Sequence, residues 1–434
     1  MKYSKYNIIF SDNDIHYLWN TYSNAVSKLD EDTLIALQNF KDGTVISKEF
    51  PYYNYMEKNG FIVEESLDES NRLINRWQSF VDHASPKVLN ITLAPTMRCN
   101  YECPYCFEEG KKNGKTMSKE TADAVISFIR KKAENNPMLE CISINGFGGE
   151  PLMNIDMLEY ICNKVQRLCK EHEIKFKGHI VTNAFFLTQS ITDRLVACGI
   201  TSAQVTVDGM PEVYATSKGT TTGSFYRVVN NIVNACKVIK IAVRINVRED
   251  GYNDAIELTD YLLKDRLLDG LVSIYIANIR QYTETVETEK RVFSNWCEMS
   301  RKYMHLFEPC VGKYMATGLM VKGTKSRCAP CSNICRYNAC IGPEGELYPC
   351  EHYFGDARYV CGSVYSGEKR TEMAERLRMA RFPEEKECSN CPFAPVCLGG
   401  CPDDNMLQRN AICCDAYGKY LIDRKLFEIK VKHL

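Results

Sequence analysis

Three cysteines, Cys99, Cys103 and Cys106, stand at CxxxCxxC spacing in the stretch Cys99-Asn100-Tyr101-Glu102-Cys103-Pro104-Tyr105-Cys106-Phe107-Glu108. A loop this short can turn three thiolates toward one point. Thiolates hold iron–sulfur clusters, and a cubane cluster has four irons. Three protein ligands leave one iron open to a substrate or cofactor, whereas a fully ligated cluster only passes electrons. Two other uses of the thiols compete. Structural zinc takes four ligands, usually as paired CxxC or CxxC with HxxxH units, and the CxxxC half departs from that spacing. Disulfides belong to oxidising compartments, and nothing in the sequence marks the chain as secreted.

The cysteine loop needs elements to carry it. Ahead of it, Val88 to Ala94 reads as a strand, and apolar strand-like runs then recur at Cys141–Phe147, Gly178–Val181, Ala203–Val207, Ile241–Val247 and Val272–Ala277. Helical stretches fall near Lys119–Glu134, Ile155–His172, Thr192–Cys198, Tyr226–Val238, Asp254–Lys264 and Glu289–Phe307. Repeated βα units predict a parallel sheet in a partial, open (β/α)6 barrel over residues 86–305. Active groups of such folds collect at the carboxyl ends of the strands. There stand the cysteine loop, Phe147-Gly148-Gly149-Glu150-Pro151, Thr182-Asn183, Asp208-Gly209, and Arg244 with Asn246. Glycine in the second of these lets backbone approach a ligand closely.

Residues 1–85 read as a small separate module. Tyr6–Phe10 and Ile15–Asn20 form a hairpin. Asp30–Phe40 is a helix with Leu34, Ile35 and Leu37 inward. Tyr53–Asn59 is a helix stopped at Gly60, Phe61–Val63 a short strand, and Leu67–Phe80 a linker helix. The mixture predicts a winged-helix-like unit.

Residues 306–434 hold a second cysteine field, with twelve cysteines from Cys328 onward. Cys388, Cys391, Cys397 and Cys401 give CxxCx5CxxxC, and Cys413-Cys414 follows. Upstream lie Cys328, Cys331, Cys335, Cys340, Cys350 and Cys361. Gly342-Pro343-Glu344-Gly345 reads as a tight turn between two short strands, and Thr371–Met379 as a helix. Cys340 alternates with strand residues, as a core residue does. CxxC pairs alone also suit a pair of zinc ribbons.

Composition frames these motifs. The chain of 434 residues has 45% apolar residues and a formal charge of −1, which gives no electrostatic case for nucleic acid or an anionic membrane. Met1 to Phe10 is polar and mixed, and no apolar run approaches the roughly 20 residues of a span, so a cytoplasmic protein without a membrane partner is expected. In a reducing compartment 22 cysteines argue for metal rather than disulfides. Cys162, Cys169, Cys198 and Cys236 lie apart from the clusters and read as small buried hydrophobes.

CxxxCxxC with an aromatic residue, Tyr105, before its last Cys resembles the signature of the radical S-adenosylmethionine superfamily. The resemblance implies a 4Fe–4S cluster on Cys99, Cys103 and Cys106, whose open iron chelates the amino and carboxylate groups of S-adenosylmethionine. An electron then cleaves the sulfonium, and a 5′-deoxyadenosyl radical abstracts hydrogen from the substrate. It implies that the loop of Gly148, Gly149 and Glu150 holds the cofactor's amino group, and that Thr182, Asn183, Asp208, Arg244 and Asn246 are cofactor contacts.

The last third resembles the SPASM extension of such enzymes: GxxxxC from Gly345 to Cys350, then CxxCx5CxxxC, then a final Cys. That extension holds two auxiliary 4Fe–4S clusters, three in all. Carried over, Cys388, Cys391, Cys397 and Cys414 (or Cys413) hold the second, and Cys350 and Cys401 with Cys331 and Cys335 the first, Cys328 being a substitute. Sulfatase-maturing relatives place a catalytic Asp directly after the GxxxxC cysteine. Here that position is Glu351, a candidate acid/base, or a residue that orders the loop. The N-terminal module is similar to one that adds a leader peptide as an extra strand. A peptide maturase is therefore expected, crosslinking a ribosomally made precursor and reduced by a flavodoxin- or ferredoxin-like donor. The rival functions are a formylglycine-forming sulfatase maturase and a non-catalytic cluster carrier or zinc scaffold.

Overall fold

The computed structural model describes residues 1–434 except 41–43, 84–85, 109, 112–113, 249–250, 280–285, 303–323, 379–385, 404–413 and 433–434. The chain divides into two compact units: Met1–Asp82 with Lys322–Cys331 and Arg378–Leu434, and His83–Val321 with Ser332–Leu377. The expected C-terminal stretch 306–434 is thus shared between them.

In the first unit, β1 (Lys2–Tyr3) is followed by β2 (Asn7–Asp12), β3 (Ile15–Asn20) and β4 (Val26–Leu29). The last three form an antiparallel sheet in the order β2-β3-β4. Its first turn places Asn13 at φ 52°, a left-handed conformation that Asn tolerates. Helix α1 (Glu31–Gln38) starts where Asp30 accepts from the Thr33 N–H at 2.8 Å, a side-chain cap that satisfies one of the first-turn N–H groups. Helix α2 (Tyr53–Asn59) ends at Gly60, φ 76°, and β5 (Ile62–Val63) pairs with β1. Helix α3 (Glu69–Val81) buries Leu73, Trp77 and Val81, one face at helical spacing.

One expectation fails here. Leu34 and Leu37 are buried, but Ile35 is 55% exposed. Residues three apart share a helix face, and Ile35 is turned about 100° from Leu34.

The same unit contains the short helices Lys386–Ser389 and Ala394–Cys397 and the long helix Cys414–Lys432. Lys5 Nζ donates to Ser389 O at 2.7 Å, Thr21 Oγ1 to Pro392 O at 2.5 Å, and Lys425 Nζ to Asn24 Oδ1 at 2.7 Å. Trp19 meets Phe393 edge-on.

The second unit is built on β6 (Val88–Leu93), β7 (Cys141–Gly146), β8 (Lys175–Thr182), β9 (Ile200–Thr206), β10 (Lys240–Val247) and β11 (Val272–Asn278). They lie side by side in sequence order, every pair parallel. Between them run α4 (Lys119–Glu134), α5 (Ile155–Glu171), α6 (Gln189–Ala197), α7 (Pro211–Lys218), α8 (Thr222–Ala235) and α9 (Tyr252–Asp260), with α10 (Val286–Lys302) after β11. Residues 303–307 of the expected last helix lie outside the described residues.

Alternation sorts the strand residues. Ile91, Ile142, Ile144, Ile180, Val205, Val243 and Ile274 join the apolar core, while Thr92, Asn145, His179, Gln204, Arg244 and Tyr275 take the alternate positions.

Helix α7 was not anticipated. Its signal was Pro211, which suits a first helical turn, and Gly219, which ends it at φ 60°. The predicted turn after Cys340-Ile341 is present: β12 (Ala339–Ile341) and β13 (Leu347–Tyr348) are antiparallel. Unforeseen is that β12 also pairs in parallel with β6, extending the sheet to eight strands. The helix expected at Thr371–Met379 spans Glu372–Arg378, and Met379 is outside the described residues. Cys162, Cys169, Cys198 and Cys236 are buried. Among the described residues no helix is long and apolar enough to cross a membrane.

Candidate active site

The cysteine loop leaves the carboxyl end of β6 and is fastened within a few residues. Ala94 N donates to Ile341 O at 2.9 Å, and Met97 N to Lys115 O at 2.8 Å. The glycine loop after β7 lies against it: Gly149 N donates to Thr96 O at 3.1 Å and Glu150 N to Arg98 O at 2.8 Å. A Cβ on Gly148 (φ 99°) would stand 2.6 Å from Thr96 O, and one on Gly149 would collide with Arg98 O. These glycines therefore admit the chain leading into Cys99, a protein neighbour that the sequence did not reveal. Cys99, Cys103 and Cys106 are half-buried. Three soft thiol donors on one fixed loop fit an iron–sulfur cluster with one iron left open.

Glu150 is fully buried. Its carboxylate accepts from Leu152 N at 3.0 Å, Thr182 Oγ1 at 2.7 Å and Asn183 N at 2.8 Å. Burial pushes its pKa up to about 7, against these hydrogen bonds, which lower it. The acid thus ties the glycine loop to the end of β8. Asn183 is not a helix cap, since Thr188 caps α6. Its Oδ1 accepts from Phe185 N at 3.0 Å. Its Nδ2 donates to Asn100 Oδ1 at 2.9 Å and lies 4.0 Å from Cys99 Sγ.

A second knot lies beneath the other side of the loop. Asp208, 4% exposed, accepts from the Tyr105 hydroxyl and from Asn246 N at 3.1 Å. Lys218 Nζ, equally buried, is 2.9 Å from Asp208 Oδ2 and donates to Tyr105 Oη at 2.6 Å. Asn246 Nδ2 reaches the same hydroxyl at 3.3 Å, and Arg244 Nε donates to Asn246 Oδ1 at 2.8 Å. Burial and the Asp208 charge hold the Tyr105 hydroxyl far above its ordinary pKa. Glu102 N also donates to Lys218 O at 3.2 Å, and a Cβ on Gly219 would come within 2.8 Å of Glu102 O. Sequence reasoning found Asp208, Arg244 and Asn246 but missed Lys218, which sits on the unanticipated α7, and the Tyr105 hydroxyl as its partner.

The turn after β13 also reaches the loop. The His352 ring lies 4.6 Å from that of Phe107, next after Cys106, and Phe147 bridges Phe107 and Phe354. Glu351 turns another way: Asn333 Nδ2 donates to its carboxylate, which lies 3.7 Å from Cys350 Sγ and 3.9 Å from Cys340 Sγ. Cys340 is buried as expected, with its sulfur toward that carboxylate.

The remaining cysteines fall in both units. Cys335 and Cys350 belong to the unit of the parallel sheet, and Cys331 and Cys401 to the other. Cys388, Cys391, Cys397 and Cys414 all lie in the first unit; Cys413 is outside the described residues. Burial pushes the Cys397 thiol up to about 11, and the charges of Cys391 and Cys414 add to the rise. Arg327 Nη2 donates to Val396 O at 2.7 Å, fixing the approach to Cys397. Among the described residues, no group of three or more His, Cys, Asp or Glu is arranged to hold a single metal ion.

Residues 93–262 match a family model described as the Radical SAM superfamily. The chain is 30% identical over 170 residues to the probable GTP 3′,8-cyclase of Archaeoglobus fulgidus, covering 38% of this chain and 51% of that relative, so it spans about half that relative's length. To the radical SAM cyclopropyl synthase TigE of Paramaledivibacter caminithermalis it is 25% identical over 484 aligned positions, covering 98% of this chain and 95% of that one. The solved structure described as native anSMEcpe with bound AdoMet and Cp18Cys peptide superposes with a TM-score of 0.58 at 15% identity, over 80% of this chain and 100% of that one. At that identity the likeness is one of fold. With its three-cysteine loop at the end of the first of six parallel strands, inside the matched residues, this chain carries a Radical SAM domain over residues 93–262.

Proposed function

We propose that this protein is a radical SAM enzyme that abstracts hydrogen from a ribosomally made precursor peptide and installs a thioether or carbon–carbon crosslink. The carrying observation is the loop of Cys99, Cys103 and Cys106, fixed on two sides at the carboxyl rim of the sheet. These cysteines would hold a 4Fe–4S cluster, with Gly148, Gly149, Thr182 and Asn183 beside it. When bound, the cluster and S-adenosylmethionine supply a hydrogen-abstracting radical, the chemistry that such cofactors bring to a protein. The chain's own share is to fix the thiols, hold the cofactor and shield the site, with Phe107, Phe147 and His352 as apolar and aromatic cover.

The peptide substrate is supported by likeness along nearly the whole chain to a cyclopropyl synthase, by a fold shared with a protein solved with a peptide, and by the N-terminal sheet. Among the described residues β4 pairs only with β3, leaving an edge that a leader peptide could extend. On this reading residues 1–85 are a winged-helix-like recognition module, 86–305 the partial barrel and 306–434 a SPASM domain with two auxiliary 4Fe–4S clusters. Cys388, Cys391, Cys397 and Cys414 hold one cluster; Cys331, Cys335, Cys350 and Cys401 hold the other. Glu351 is proposed as the proton-handling residue beside Cys350, oriented by Asn333. A flavodoxin- or ferredoxin-like protein supplies electrons, and the enzyme works in the cytoplasm.

The test uses anaerobically reconstituted protein, reduced with dithionite in the presence of S-adenosylmethionine. About twelve irons per chain and 5′-deoxyadenosine that disappears when Cys99, Cys103 and Cys106 are all changed to Ala would support the reading. Zinc in place of iron, or cleavage that survives the triple change, would overturn it. Incubation with peptides encoded beside the gene then tests the crosslink, which removes two hydrogens from the peptide mass for each bond formed by oxidative coupling.

A further inference from the structure

Asp208 and Asn246 were expected to touch the cofactor, yet their side chains are engaged within the protein, on one hydroxyl. Tyr105 Oη accepts from Lys218 Nζ at 2.6 Å and lies 3.3 Å from Asn246 Nδ2, while donating to Asp208. The ion pair behind it has side chains only 4% and 1% exposed. An ammonium and a carboxylate so placed have lost nearly all their water, and such a pair is kept together because either charge alone would be costly to bury. Both partners contact the residue directly before Cys106, and the backbone of Lys218 also accepts from Glu102 N, directly before Cys103. Gly219 permits that approach.

The geometry points to the Lys218–Asp208 pair as a positioning device that grips the loop of Cys99, Cys103 and Cys106 through Tyr105 and Glu102 and sets the reduction potential of the cluster held there. The inference rests on the proposed function, since it presupposes that cluster. Reduction adds an electron to the cluster, so a nearby positive charge favours it and a negative charge opposes it. Paired, Lys218 and Asp208 nearly cancel. Removing the ammonium leaves a buried carboxylate and lowers the potential. Neutralising the carboxylate leaves the ammonium and raises it. Removing only the Tyr105 hydroxyl leaves the charges and loosens the grip.

The experiment is a redox titration of the full, reconstituted chain, following the electron paramagnetic resonance signal that changes on adding S-adenosylmethionine. That signal separates this cluster from any other. For Lys218→Met the midpoint is expected to move negative, for Asp208→Asn positive, and for the double variant to return close to the wild type. Tyr105→Phe is expected to hold the midpoint and to weaken S-adenosylmethionine binding roughly tenfold, as a misplaced loop does. Lys218→Arg, which keeps the charge, is expected to restore the potential. Should Lys218→Met fail to fold, the single Asp208→Asn and the double variant still carry the test. Shifts of the same sign, or none, in a protein that loads a reducible cluster would overturn the inference alone. A wild-type chain that loads no such cluster would overturn the proposed function and this inference with it.

Discussion

The two cysteine regions are held in place by different kinds of neighbour. The loop of Cys99, Cys103 and Cys106 is gripped by its own βα units: the glycine loop after β7, the Glu150 knot at the end of β8, and the Asp208–Lys218 pair between β9 and α8. The stretch of Cys388, Cys391 and Cys397 is gripped by the opposite end of the chain. There Lys5 and Ser70 donate to Ser389 O, Thr21 donates to Pro392 O, and Trp19 packs on Phe393. Contacts of the first kind follow from a repeating motif. Those of the second join positions as many as 384 residues apart. The first region is therefore shaped by its own scaffold, whereas the second ties its thiols to residues near the other end of the chain.

The sharpest way to break this contrast is Gly149→Ala. Its Cβ would collide with Arg98 O, backbone that cannot swing away. A cost of roughly 3 kcal/mol or more is expected, read as a lower denaturation midpoint together with loss of about four irons. Retention of both would show that the loop is not set by its scaffold. Cys397→Ala should act in the other region: about four irons lost and faster hydrogen exchange in β2 to β4, with uncoupled S-adenosylmethionine cleavage unchanged. Cleavage lost in parallel would erase the distinction.

The Glu150 knot gives a pH test. Its folded pKa is raised from the unfolded value of 4.5 to about 7, so its stabilising contribution is complete below about 4.5 and is lost as pH rises through about 7. Glu150→Gln removes that titration. The advantage of wild type over the variant, by chemical denaturation, should therefore shrink between pH 4.5 and 7.5; a constant gap would place the carboxyl in a wetter site. The smallest effect is expected from Thr21→Val, about 1 kcal/mol for one lost hydrogen bond. It should leave uncoupled S-adenosylmethionine cleavage unchanged and should show as a lower melting temperature of the unit that contains β2 to β4.

Much of the parallel sheet was legible because each strand and helix is a local pattern of apolar residues. All six strands stand within a few residues of their expected bounds, and Cys99, Gly148, Thr182, Asp208 and Asn246 arrive at one rim because strand polarity puts them there. What each does locally was less legible. The sequence pointed Gly149 and Glu150 toward a ligand and left unseen their protein contacts, Arg98 O against Gly149 and Leu152, Thr182 and Asn183 around the Glu150 carboxylate. Lys218 was hidden on α7, whose eight residues begin at a proline and bury Pro211, Tyr214 and Lys218 itself. A buried lysine carries no periodic signature; only its partner reveals it. The same reason concealed the Ser389 and Pro392 anchors, since a backbone carbonyl leaves no mark in sequence.

The pairing of β12 with β6 bears on how the protein is made. The Asn90 N–H, on β6, donates to the side chain of Asn338, 248 residues later. During synthesis the strand that leads into the cysteine loop must therefore wait, one edge bare, until most of the chain has left the ribosome. A contact so distant is slow to form, and an unpaired apolar strand edge invites other chains. Truncation before Ala339 would leave that edge permanently open, so the last third of the chain is also a guard against aggregation during biogenesis.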